Sequence, residues 1–108
     1  MPVSLGEFEQ LVLLAILQRG EDAYGASIER ELEARTRRRV SLGAIYTTLL
    51  RLEEKGLVSA RVGDPLPERG GRRRKYYRVL SAGLRHLERS MQNLRAMSAG
   101  LAKPLEAP

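Results

Sequence analysis

The chain has 108 residues, with 19 Lys and Arg against 13 Asp and Glu, a net charge of +6 and a pI of about 10.3. That is enough chain for one domain and too little for two. Cys and Trp are absent and there is one His, which excludes a disulfide framework, a thiolate zinc site and a cysteine nucleophile, and leaves no ligand set for a transition metal.

In chain order, Ser4 and Glu7 have the spacing of a capping box that opens a first helix. Phe8, Leu11, Val12, Ala15 and Ile16 form one apolar face, and Leu13, Leu14 and Leu17 a second, so this helix is expected to be buried on more than one side and to stop at Gly20. The apolar run Leu11–Leu17 follows Glu7 and Glu9 and falls far short of the roughly 20 residues of a membrane span. A soluble, cytoplasmic protein with no membrane partner is therefore expected. After a polar turn at Glu21 and Asp22, a second helix is predicted over Tyr24–Thr36, with Ala26, Ile28 and Leu32 as its stripe and Glu29, Glu31 and Glu33 exposed. Ser41 is placed to cap a third helix over Leu42–Lys55, carried by Ile45, Leu49 and Leu52 and stopped at Gly56.

Leu57–Val62 alternates as a strand, 63–71 is rich in Gly and Pro and reads as a loop, and Arg72–Leu80 reads as a second strand. Ser81 then caps a last helix reaching about Gly100. Its apolar positions Leu80, Leu84, Leu87, Met91, Leu94 and Leu101, with Ser98 between the last two, step by four and three, a heptad seam longer than a small domain needs that suits a second copy of the chain, packing onto the first helix being the alternative. The predicted organisation is a DNA-binding unit over 1–80, a dimerisation helix over 81–101 and a disordered tail over 102–108. In fold class this is mainly α with a small β-hairpin, a winged helix-turn-helix plus a C-terminal dimerisation helix.

The charge map agrees with that plan. Residues 1–34 carry seven acids against two bases, residues 35–78 thirteen bases against four acids, and residues 79–108 four bases against two acids. Most of the bases are Arg, whose planar fork suits phosphates and guanine edges. The basic knots fall where a third helix and a wing would face a duplex, and double-stranded DNA is the expected partner.

The residues also resemble a known family. Leu5–Leu17, Tyr24 and Gly25, Ser41–Tyr46, Leu49, Arg51–Glu53, Lys55–Val58, Gly70–Tyr77 and Gly83 together resemble the PadR family of bacterial transcriptional regulators, over roughly residues 5–90. The short-tailed branch is the nearest in plan. The resemblance implies a homodimeric repressor on an inverted-repeat operator, in some members released by a small aromatic or drug-like effector. Two departures stand out. Thr47 follows Tyr46 where many members have Pro, and the Trp that drug-binding members use at the dimer interface is absent.

The candidate DNA-binding residues are Ser41, Gly43 and Ala44 at the start of the third helix, then Tyr46, Thr47, Thr48 and Arg51 along it, with Arg39 just before it. In the wing they are Gly71, Arg72, Arg73, Arg74 and Lys75. Alternation puts Arg72 and Arg74 on one strand face and Arg73 and Lys75 on the other. Tyr46 fits a packing role equally well, Arg51 an ion pair with Glu54, and the basic residues a solvated surface. The candidate dimerisation residues are Leu84, Leu87, Met91, Leu94 and Leu101, with Leu13. Met91 and Met97 fit either core filling or an adaptable apolar pocket; effector residues are otherwise unassigned. No metal, cofactor or catalytic set is expected: His86 has no nucleophile or acid at a usable spacing, and no glycine-rich phosphate loop occurs. Two non-enzymatic alternatives remain, a winged-helix protein-interaction module and a non-specific architectural DNA binder.

Overall fold

The computed structural model describes residues 5–65 and 73–101. Helix α1 spans Glu7–Arg19, a 3-10 turn Gly20–Asp22, α2 Gly25–Thr36, α3 Leu42–Glu54, strand β1 Val58–Pro65, β2 Arg73–Val79 and α4 Ser81–Ser98. The element order is the predicted one.

Helix α1 starts later than the Ser4 cap would place it, and Ser4 lies outside the described residues. The N-cap is Gly6, whose N–H donates to the Glu9 carboxylate at 3.1 Å. Only Val12, Leu13, Ala15 and Ile16 of this helix are buried. Leu17 is 46% exposed, so the second apolar face is narrower than expected. Glu9 also accepts from Lys55 Nζ at 2.7 Å, which ties α1 to the end of α3. Desolvation raises the Glu9 carboxyl. The hydrogen bonds from Lys55 and Gly6, with the charges of Lys55 and Arg51, outweigh it and leave the pKa below 4.5. A depressed carboxyl stabilises the fold above its unfolded-state pKa and loses that contribution as pH falls through the folded-state value. Glu9→Gln is expected to cost about 1 kcal/mol at pH 7. Urea unfolding at pH 3 should show a smaller difference; an equal penalty at both pH values contradicts the ionic origin.

Helix α2 opens with Ser27 Oγ accepting from the Tyr24 amide at 2.9 Å while its proton reaches the Asp22 carbonyl, so this fully buried hydroxyl is satisfied. Glu31, expected to be exposed, is half-buried between Arg19 and Arg35. Ser41 caps α3 as expected, its Oγ accepting from Ala44 N–H at 3.0 Å. Gly56, at φ +74°, turns the chain from α3 into β1.

The strands pair antiparallel with Val58 opposite Val79, Ala60 opposite Tyr77 and Pro65 opposite Arg73; a register shift falls between Val62 and Pro65. β1 thus runs three residues further than the alternation predicts. Tyr24 adds a single antiparallel bridge to Tyr76, and Tyr77 N–H donates to the Ala23 carbonyl at 2.8 Å. The approach to α2 is therefore held on the free edge of the hairpin. The core lies where α1, α2 and α3 meet the hairpin, around Leu13, Ile16, Ile28, Ile45, Leu49, Leu52 and Leu57, all nearly or fully buried.

Helix α4 is capped by Leu80, not Ser81, which is its first helical residue. Its first two turns belong to the core: Gly83 and Leu87 are buried. Among the described residues no helix is long and apolar enough to cross a membrane, and no cluster of three or more His, Cys, Asp or Glu forms.

Candidate nucleic-acid interface

The buried positions of α3 are Ile45, Thr48, Leu49 and Leu52, a stripe at spacings of three and four. Thr48 is only 4% exposed. It was expected beside Thr47 on the outward face; instead it lies on the core stripe, one turn from Ile45 and Leu52, and is withdrawn from any base contact.

The opposite face carries Gly43, Tyr46, Thr47, Leu50 and Arg51, all exposed. Leu50, at 56% exposed, is an apolar residue outside the predicted stripe and outside the predicted contact set. The signal was there: Leu49 and Leu50 lie about 100° apart on a helix of 3.6 residues per turn, so both cannot face the core. Thr47 Oγ1 donates to the Gly43 carbonyl at 3.0 Å, which leaves the hydroxyl oxygen able to accept but no longer free to donate. Tyr46 is 47% exposed, and its ring and hydroxyl lie against the start of α2. A Cβ built on Gly25 would stand 2.5 Å from Tyr46 Oη, so the bare backbone of Gly25 makes room for the phenol. Tyr46 thus joins the two helices of the helix-turn-helix and still presents one side to solvent.

At the N-terminus of α3, Ser41, Leu42, Gly43 and Ala44 are all exposed. The Ser41 side chain takes the Ala44 amide and the Ser41 carbonyl the Ile45 amide. The amides of Leu42 and Gly43 keep the positive end of the helix dipole open to an anion. Arg39 is exposed beside them with no ion pair among the described residues. Arg38, by contrast, is held by Glu7 at 2.8 Å.

On the hairpin, Gly71 and Arg72 lie outside the described residues. The alternation holds for the rest. Arg73, Lys75 and Tyr77 share one face and Arg74 and Tyr76 the other. Arg73 is exposed. Lys75 Nζ stands 3.6 Å from Glu53 on α3, a half-exposed surface pair of small energetic weight that aims the strand at the helix. Tyr77 is buried in the core, and burial, followed by the nearby Glu53 charge, pushes its hydroxyl up to about 12. Arg74 is half-buried and packs on the Tyr24 ring, whereas Arg73 is exposed.

Two of the candidate dimerisation residues are core residues of the protomer. Leu13 is fully buried and Leu87 is 4% exposed; both sit among α1, the hairpin and the root of α4, and neither is free for a partner. The remaining seam stays open, with Leu84 at 44%, Met91 at 37%, Leu94 at 63% and Leu101 at 45% exposed, joined by Met97 at 80%.

The exposed α3 face with its open N-terminus, flanked by a hairpin carrying Arg73, is the arrangement by which a winged helix enters a groove. Comparison with known proteins agrees. A PadR-like transcriptional regulator from Bacillus cereus is similar over 94% of this chain and 93% of its own, at 29% identity and a TM-score of 0.72. A PadR family transcriptional regulator from Eggerthella lenta is similar over 94% of this chain and 88% of its own, at 29% identity and a TM-score of 0.68. An uncharacterized protein from Lysinibacillus sphaericus is 33% identical over 84 residues, 76% of this chain and 72% of that one. Residues 13–89 match the transcriptional regulator PadR-like family, and the chain belongs to that family of DNA-binding transcriptional regulators.

Proposed function

We propose that the protein is a homodimeric transcriptional repressor that binds an inverted-repeat operator. The observation that carries the reading is α3, which buries Ile45, Thr48, Leu49 and Leu52 and leaves Gly43, Thr47, Leu50 and Arg51 exposed beside two exposed arginines, Arg39 and Arg73. Each protomer lays α3 in a major groove. The amides of Leu42 and Gly43 and the side chains of Arg39 and Arg73 meet backbone phosphates; Thr47, Leu50 and Arg51 meet base edges, with Leu50 suited to a thymine methyl. The dimer forms through α4, where Leu84, Met91, Leu94, Met97 and Leu101 leave a long apolar stripe exposed among the described residues. Two-fold symmetry then sets half-sites one helical turn or a small multiple apart.

Selection of bound duplexes from a random library at about 150 mM salt, near physiological ionic strength, tests this. Recovery of an inverted repeat supports the reading. Bound but unenriched DNA indicates an architectural binder, and no bound DNA a protein-docking module. On the recovered operator, Arg51→Ala is expected to lose about 10-fold in affinity and to relax preference at one base position per half-site. Arg73→Ala should weaken cognate and scrambled DNA alike. Equal losses on both duplexes for Arg51→Ala remove it from the reading set.

A further inference from the structure

Arg74 stands in the basic run of β2 and reads, by composition and alternation, as one more phosphate contact. Its surroundings are different from those of Arg73. Its guanidinium carbon lies 4.1 Å from the centre of the Tyr24 ring. Tyr76 meets the same ring edge-on, with centroids 5.7 Å apart at 74°. Arg30 donates to Tyr24 Oη at 2.9 Å. Arg61 covers Tyr76 at 4.7 Å and reaches Glu21 at 3.5 Å. The Arg74 Nε is buried with no hydrogen-bond partner among the described residues. An arginine meant to meet phosphate keeps its donors in water until the ligand arrives; this one has already given up solvent at Nε and gained an aromatic face.

The cluster joins the turn before α2, α2 itself and both strands at the place where Tyr24 bridges Tyr76. We infer that Arg74 is a positioning residue: stacked on Tyr24, it clamps the first half of β2 to the start of α2 and so sets the angle at which Arg73 stands beside α3. The inference rests on the DNA-binding reading above, and its test is chosen to separate the two.

Amide hydrogen exchange of Arg73–Tyr76 is measured on the free protein for Arg74→Gln, Tyr24→Leu, Tyr24→Phe and the double variant Tyr24→Leu with Arg74→Gln; affinity and salt slope are then measured on the selected operator. Arg74→Gln and Tyr24→Leu should each speed exchange roughly 10-fold, as local opening of the clamp requires. Each should weaken DNA binding about 5-fold with the salt slope unchanged, and the double variant should be no worse than either single one. Tyr24→Phe keeps the ring and should stay within about 2-fold of the parent. Unchanged exchange in Arg74→Gln overturns the clamp. So does a salt slope flattened by about 2 per dimer in Arg74→Gln while Tyr24→Leu binds normally, because that marks a phosphate contact. Absence of DNA binding by the parent chain overturns the functional reading instead, and the exchange result still decides the clamp.

Discussion

Gly83→Ala is expected to destabilise the protein by about 3 kcal/mol, the upper end of the usual cost of overpacking. A Cβ at Gly83 would stand 2.4 Å from the Leu57 carbonyl oxygen and 2.8 Å from Val79 Cγ1. The first of these cannot be relieved by a rotamer change, because its partner is backbone. That carbonyl is also the acceptor for Leu80 N–H at 2.9 Å, so moving it away breaks the bond that seats α4. Thermal unfolding followed by circular dichroism should show the midpoint fall by roughly 15 °C. A shift of only a few degrees means that α4 tolerates a wider seat than the packing implies.

The largest effect expected on DNA is that of salt. If the dimer neutralises about 8 phosphates, log K falls with log salt at a slope near −7, and affinity for the operator drops about 10⁴-fold between 50 and 200 mM. Arg73→Ala removes one contact from each protomer and should flatten the slope by about 2. Fluorescence anisotropy on labelled duplex at four or more salt concentrations measures both. A slope near −2 for the parent chain would leave too few phosphate contacts for two engaged protomers and would contradict the symmetric complex.

Much of this architecture is legible in the sequence because the cues are local and periodic. Ile45, Leu49 and Leu52 announce α3, and Ser41 and Gly56 bound it by backbone chemistry that needs no partner. Charge placement, too, is a property of sequence alone. What periodicity does not reveal is which neighbour a face meets. Thr48 occupies a core position although its side chain is polar; its spacing of three from Ile45 and four from Leu52 separates it from Thr47, but a hydroxyl gives no apolar signal to mark it. Leu13 and Leu87 lie on apolar stripes that look available to a partner until the protomer is folded around them. Alternation sorts Arg73 from Arg74 by face, but the stack on Tyr24 joins residues fifty apart in the chain, and a single-residue bridge has no repeat to detect. The helices begin elsewhere than the Ser4 and Ser81 signals place them: Gly6, whose N–H Glu9 accepts, and Leu80 hold the N-cap positions, and neither has a side chain that marks a cap in the sequence.

The seat of α4 has a mechanical consequence. The helix has 18 residues, and at 1.5 Å per residue it is about 27 Å long; its buried residues among those described, Gly83 and Leu87, lie at its root. Gly83 brings that root to the carbonyl of Leu57, which follows directly on α3 and its Gly56 turn. The helix is therefore a lever with its fulcrum next to the end of α3. A rotation of about 10° at the root carries the far end through roughly 5 Å over that length. Read in the opposite direction, a displacement of several ångströms at the far end becomes a turn of a few degrees where the chain leaves α3, with no slack at the pivot to absorb it.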